Sequence, residues 1–357
     1  MSVLFNDNNL RYIDHRDFLA SVYKNVNSEL AGNQSLTFNK KLFCIKSTTN
    51  NLTVNKKRSR ESHQVLEEVS TYLTNPIFKK YDLLETSLVR ELAQNHFESA
   101  IYHHHGLNGG NNSNTPLKCK IKDDWFLIPQ NSRYKFLCGC VKEQCAKLNG
   151  NKFNIMIADP PWWNKYIRRL KGANNKLSYS MMYNEDIASI PVKDLLSENC
   201  LIAVWCTNAL SNINAIKNLI FPKWGVEYVT TWYWLKLTID LKPLCQFGSG
   251  CKKQPYERIV IGKVGNVCVP SDLLVASIPS ALHSHKPPLL DLLTPCIDVQ
   301  SPHILELFAR YLLPNTTSVG YEPLKWQHLS LYEEAVDRSA CRLICGLSYK
   351  HKRILTQ

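Results

Sequence analysis

Residues 154–171 read NIMIADPPWWNKYIRRLK: an apolar run, then Asp159-Pro160-Pro161-Trp162, then clustered positive charge. The run fits a strand buried on both faces, as in a parallel sheet covered by helices. Pro160 and Pro161 end it, because neither can donate an N–H to a ladder and each has a fixed φ. In an open α/β sheet the crevice lies beyond the C-terminal ends of the strands, and Asp159 is the first residue there.

Outward from this stretch the same texture recurs. RYKFLCG, CLIAVWC, VEYVTTWYW, RIVIG, LLVAS and ILELFA are further candidate strands, and SNINAIKNLIF between them is helical in pattern. The alternation predicts an α/β fold with a doubly wound, mostly parallel sheet over residues 116–330. Upstream, residues 1–60 mix Asn with short apolar clusters and read as a poorly defined segment with a basic linker, NKKRSRES. Val65, Leu66, Val69, Tyr72 and Leu73, then Leu84, Leu88 and Leu92, follow helical spacing. Residues 61–115 are therefore expected to form a smaller, mainly helical region ending in a flexible Gly/Asn-rich loop at 106–115. Residues 331–357 read as a basic C-terminal tail.

The chain has 357 residues and a formal charge of +13, with 43 Lys and Arg against 30 Asp and Glu. The excess is concentrated: no acid stands between Pro160 and Asn184, where Lys165, Arg168, Arg169, Lys171 and Lys176 alternate with Tyr166 and Tyr179. Clustered cations interleaved with aromatics suit a nucleic acid, because cations release counterions from phosphates and rings stack on bases. No apolar run is long enough to cross a membrane and no secretory signal is visible, so a soluble protein made in the cytosol is expected, with no membrane partner. Thirteen cysteines without a CxxC pair read as reduced thiols, and neither they nor His103–His105 give the spacing of a metal site.

The Asp-Pro-Pro-Trp turn has a chemistry of its own. An exocyclic amino group on a nucleobase offers two N–H donors beside a π-face. The Asp159 carboxylate and a proline carbonyl can accept those bonds, and Trp162 supplies a ring to stack. The amino nitrogen of adenine is a poor nucleophile because its lone pair is delocalised into the ring. Acceptors on both protons favour a pyramidal nitrogen with its lone pair aimed at an electrophile, an effect of positioning and electrostatics. The bland alternative is a strand-ending turn with Asp159 as a helix cap.

Asp159-Pro160-Pro161-Trp162, SHKP at 284–287 and ELFAR at 306–310, in that order, resemble the adenosine-N6 methyltransferases of eukaryotes. The resemblance covers roughly residues 125–330. It implies a Rossmann-like domain that uses S-adenosylmethionine, with Asp159, Pro160, Pro161 and Trp162 holding the target adenine. It further implies that Lys286 meets the cofactor's carboxylate and Arg310 its ribose, with Asp159 close to both ligands and Glu322 and Gln327 as further cofactor contacts. Trp163, Lys165, Arg168, Arg169, Lys171, Tyr179 and His285 are the candidate nucleic-acid contacts. Two positions depart from the family: Cys140 stands where relatives have an aspartate, and Tyr321 where they have an asparagine.

The implied activity is methyl transfer to N6 of adenine in RNA, in the first place a small nuclear RNA adenosine that carries a 2′-O-methyl group. DNA adenine is the second substrate class, and an inactive nucleic-acid-binding scaffold of the same fold is the rival reading. Lys56, Lys57, Arg58 and Arg60 read as a nuclear-import signal or a solvated linker, and a nuclear protein with a cytoplasmic share, acting alone as a monomer, is expected.

Overall fold

Along the central strands, neighbouring residues point to opposite faces and both faces are apolar, so each strand needs a covering layer on either side. The computed structural model describes residues 3–7, 9–27, 34–45, 86–99, 106–130, 135–163, 181–245 and 254–335. Its strands are β1 Val3–Asp7, β2 Leu10–Ile13, β3 Leu36–Phe38, β4 Asn108–Gly109, β5 Leu117–Ile121, β6 Asp124–Ile128, β7 Phe136–Cys138 and β8 Phe153–Ala158. They continue with β9 Leu196–Cys206, β10 Glu227–Lys236, β11 Tyr256–Val264, β12 Leu274–Ser277, β13 Ile304–Leu307, β14 Thr316–Gly320 and β15 Tyr332–Glu334.

Eleven of these form one sheet in the order β1-β2-β12-β10-β11-β9-β8-β13-β14-β7-β4. The block β9-β8-β13-β14-β7 is parallel throughout, whereas β11 runs antiparallel to both β10 and β9. From β8 the chain moves to β9 on one side, and the later β13 docks on the other side. The ends of β8 and β13 thus flank the point where strand order reverses, where open α/β sheets form a crevice.

The two layers sort by strand parity. Ile155, Ile157, Leu201, Ala203 and Trp205 enter one apolar cluster, and Met156, Ala158, Ile202, Val204 and Cys206 enter the other. Helical segments at Leu210–Trp224 cover the second face, ending at Gly225, whose φ of 70° is the left-handed cap that glycine takes without strain. The first face is covered in part by the N-terminal residues. Tyr12, Ile13, Leu19, Tyr23, Phe38 and Phe43 are all buried in its cluster.

Several boundaries differ from expectation. The described part of residues 1–60 is ordered onto the later strands: β2 pairs in parallel with β12, and β3 pairs with β15 from the supposed tail. The Gly/Asn-rich stretch is no free linker, since Asn108–Gly109 pairs with β7 and the buried Asn111 donates to the Thr115 carbonyl at 2.8 Å. The helix expected around Leu84–Leu92 is present at Thr86–Ser99, but it buries Val89 and Ala93 and leaves Leu88 exposed, so its inward stripe is one position along from the leucines. The expected helix at 65–73, the basic run at 56–60, His103–His105 and the segment after residue 335 lie outside the described residues. Among the described residues no helix is long and apolar enough to cross a membrane.

His15 follows Asp14, whose carboxylate caps the helix His15–Val22 by accepting from the N–H groups of Arg16 and Asp17 at 3.0 Å each. Its ring meets that of His285 at 4.4 Å between centroids, with Tyr311 and Phe43 around it. Among the described residues neither imidazole has a hydrogen-bond partner. Burial lowers the His15 pKa to about 3 and that of His285 well below its usual range. The unfolded chain takes up both protons as pH falls through about 6.5 while the folded chain does not, so stability is complete above that value and lost below it. Each such histidine lowers stability by roughly 1.4 kcal/mol between about pH 7.5 and 5.5. In urea denaturation His15→Phe should therefore gain about that much on wild type over the same interval, and an identical pH slope in the two proteins would refute the assignment.

Candidate active site

β8 and β13 lie side by side, Ala158 opposite Leu307, so the residues that follow them emerge together. Past β8 come Asp159 and the two prolines; past β13 come Phe308, Ala309 and Arg310. Phe308 has a φ of 62°, and Ser284, which introduces His285 and Lys286, has a φ of 58°. Non-glycine residues rarely occupy this region unless the surroundings impose it. Lys286 and Arg310 are therefore delivered by strained turns. Gly320 helps impose the first: a Cβ there would lie 3.1 Å from the Ala309 nitrogen and oxygen.

The result is a chain of alternating charge. Lys236 and Lys286 both bond Glu257, Lys286 Nζ lies 3.8 Å from Asp159 Oδ1, and Arg310 donates to Asp159 Oδ2 and, at 3.4 Å, to its main-chain oxygen. Burial works against charge on Glu257, yet Lys286 and Lys236 hold its carboxyl well below the usual range. Burial also works against the Lys286 ammonium, and Asp159 and Glu257 outweigh it, so its pKa is raised. The ammonium sits over the Trp205 ring at 5.2 Å and Trp234 at 5.7 Å, a further cation–π attraction. Glu306, on β13, is raised to about 8, by burial first and then by Asp159. With its proton on at neutral pH, three cations face two carboxylates, which suits the carboxylate of a ligand.

A cavity of about 300 Å³ adjoins this chain, lined in part by Pro161, Phe308, Arg310, Glu322, Cys140 and Tyr321. Arg310 is common to both, whereas Lys286 reaches the cavity only through Asp159 and Arg310. Comparison with known proteins bears on this region directly: residues 153–322, from the start of β8 to the far wall of the cavity, match the family model described as MT-A70. This stretch is an MT-A70 domain.

The matched region has curated relatives in animals and fungi. The N(6)-adenine-specific methyltransferase METTL4 of Homo sapiens is 35% identical over 236 residues, covering 62% of this chain and 48% of that protein. The DNA N6-methyl methyltransferase of Caenorhabditis elegans is 40% identical over 211 residues, 57% of this chain and 54% of that one. The N6-methyladenosine RNA methyltransferase MTA1 of Cryphonectria parasitica is 35% identical over 189 residues, 51% and 55% respectively. The chain thus spans about half the length of the curated relatives it matches.

Within the MT-A70 domain and its flanks the expected residues take different places. Asp159, Lys286 and Arg310 converge as described. Each proline carbonyl already accepts one main-chain bond at 2.9 Å, Pro160 from Trp162 and Pro161 from Met182, and keeps one lone pair. Trp162 is only 6% exposed; its ring enters the apolar layer and its Nε1 donates to the Trp205 carbonyl at 2.9 Å. It fastens the turn to β9 rather than offering a free stacking face. His285 is buried among His15, Phe38 and Tyr311, away from any ligand, which corrects its reading as a nucleic-acid contact. Gln327 is likewise structural: fully buried, it bonds the Tyr23 hydroxyl at 2.7 Å, the Leu127 carbonyl and the Leu312 N–H. Glu322 lines the cavity while accepting from Lys325 at 3.1 and 3.2 Å. Lys165, Arg168, Arg169, Lys171 and Tyr179 lie outside the described residues.

Cys140 and Tyr321, which sequence reading singled out, both line the cavity. Sequence reading missed Glu257, Lys236 and Tyr311, whose hydroxyl donates to the Lys286 carbonyl at 2.9 Å. The one visible signal was the charged pair Glu257-Arg258 ahead of the apolar run IVI in YERIVIG. Glu257→Gln leaves two lysines sharing a neutral amide and should cost about 1–3 kcal/mol in urea denaturation. Because the folded pKa is depressed, the difference from wild type should be full above about pH 5 and shrink as pH falls and protonates wild-type Glu257. A pH-independent difference would show that charge is not what Glu257 contributes.

Proposed function

We propose that the chain transfers a methyl group from S-adenosylmethionine to N6 of adenine in a nucleic acid. The observation that carries this reading is Asp159, held at the end of β8 by the Pro-Pro turn and flanked by Lys286 and Arg310 at the rim of the cavity. The site's residues fit that cofactor. Lys286 would hold its carboxylate, Arg310 and Glu322 its ribose, and the Cys140–Tyr321 wall its base; when bound it supplies a methyl group on a cationic sulfur. The protein's part is to orient the acceptor. The remaining lone pairs of Asp159 and the Pro160 carbonyl take the two amino protons of adenine and direct its nitrogen lone pair toward the methyl group, so no proton need leave before the new bond forms. A base stacked in a duplex cannot reach the site, which favours single-stranded or flipped-out adenine.

RNA is the first proposed substrate, in particular a small nuclear RNA adenosine bearing a 2′-O-methyl group, and DNA is the second. The names of the fungal and nematode relatives support RNA and DNA respectively. The basic run at 56–60 supports a nuclear protein, and the net charge of +13 supports a nucleic-acid partner.

Transfer of labelled methyl groups to single-stranded RNA and DNA oligonucleotides tests the reading. Asp159→Asn keeps the shape and loses the charge, so the rate should fall by about 10²–10³-fold while S-adenosylmethionine binding by calorimetry persists. A variant that kept most of its rate would overturn the role of Asp159. Cofactor binding without transfer to any adenine-containing strand would favour the inactive scaffold instead.

A further inference from the structure

Trp162 and Trp163 are adjacent in an extended segment, so their side chains diverge. Trp162 goes into the core. Trp163 goes outward and stacks on Tyr183, with ring centroids 6.1 Å apart and planes 18° from parallel. Tyr183 is 59% exposed, among the most exposed large side chains of the described residues. Nothing in the proposed chemistry of Asp159 uses this pair.

Its placement is fixed by the motif itself. Trp162 and Met182 form a parallel bridge, the Met182 N–H donates to the Pro161 carbonyl at 2.9 Å, and the Trp163 N–H donates to the Met182 carbonyl at 3.2 Å. Pro161, Met181 and Met182 line the cavity. The stacked pair therefore stands on the outer rim of the cavity, one residue from the turn that receives the amino group. Tyr183 thus leaves most of a ring in water, which is normally disfavoured. It does so beside the turn at which a strand must present its target base.

We propose that Trp163 and Tyr183 form a stacking platform for the nucleobase adjacent to the target adenine. This rests on the reading of the site as an adenine methyltransferase and adds a second contact to it, outside the cavity. Stacking uses the π-face that every base has, so the platform sets affinity for a neighbouring base and favours a purine, which covers more of the two rings. The Tyr183 hydroxyl has no part in it. The main-chain N–H of Tyr183, which donates to Asp186 at 3.3 Å, survives substitution of its side chain.

The probe is a single-stranded RNA with 2-aminopurine next to the target adenine, alongside the same strand with an abasic site there. Quenching of 2-aminopurine on titration reads the platform without any methyl transfer. Tyr183→Ala should weaken binding and raise the KM for the strand by roughly tenfold, with kcat and S-adenosylmethionine affinity unchanged. Tyr183→Phe should behave as wild type, and the abasic strand should bind both proteins equally weakly. The platform is overturned if wild type shows no quenching, if Tyr183→Ala keeps its affinity, or if Tyr183→Phe is as impaired as Tyr183→Ala. Quenching without turnover would defeat the methyltransferase reading and leave the platform standing; turnover with an unaltered KM in Tyr183→Ala would do the reverse.

Discussion

Alternation of charge along Lys236, Glu257, Lys286, Asp159 and Arg310 is the interaction on which the site depends. These side chains come from β10, β11, the turn at Ser284, the end of β8 and the end of β13, so the chain ties together the C-terminal edge of the sheet. Partly buried charges are expensive unless each has an opposite neighbour. Taking out any one would leave its neighbours uncompensated. The protonated Glu306 beneath them keeps the total at one net positive charge.

The backbone is bent to serve this arrangement. Two left-handed non-glycine residues, Ser284 and Phe308, aim the loops that carry Lys286 and Arg310. Such conformations persist only where packing over-determines them. Tyr311 on the Lys286 carbonyl and the ring cluster of His15, His285 and Phe38 do so for one loop. The approach of Gly320 to Ala309 does so for the other. The N-terminal residues thus reach the site without touching it, because they wall the pocket into which His285 folds.

Much of this was legible in the sequence, for physical reasons that also mark where it was not. Strands with two apolar faces, such as FNIMIA and CLIAVWC, announce themselves because no other element needs that pattern. The Asp-Pro-Pro turn was legible because prolines leave few conformations. β14 escaped notice since TTSVG is short and half polar, although its threonines and serine are buried. The role of Trp162 was misread because a tryptophan beside a site can serve as platform or anchor, and only its contact with Trp205 distinguishes them. Glu257 was invisible as the shared partner of Lys236 and Lys286, since pairing across 21 and 29 residues of sequence leaves no local mark. The ordered N-terminal residues were underestimated because their strands pair with β12 and β15, each more than two hundred residues away.

That last pairing has a consequence for how the protein is made. β2 is synthesised some 260 residues before its partner β12. Gln327 of the last described segment closes on Tyr23. Until then Leu10, Tyr12 and Ile13 lack the main sheet they pack on, and a strand that waits so long for its partner exposes apolar surface meanwhile. Completion of the sheet and completion of the site therefore both wait for the strands after residue 270, and a chain cut short before them carries neither.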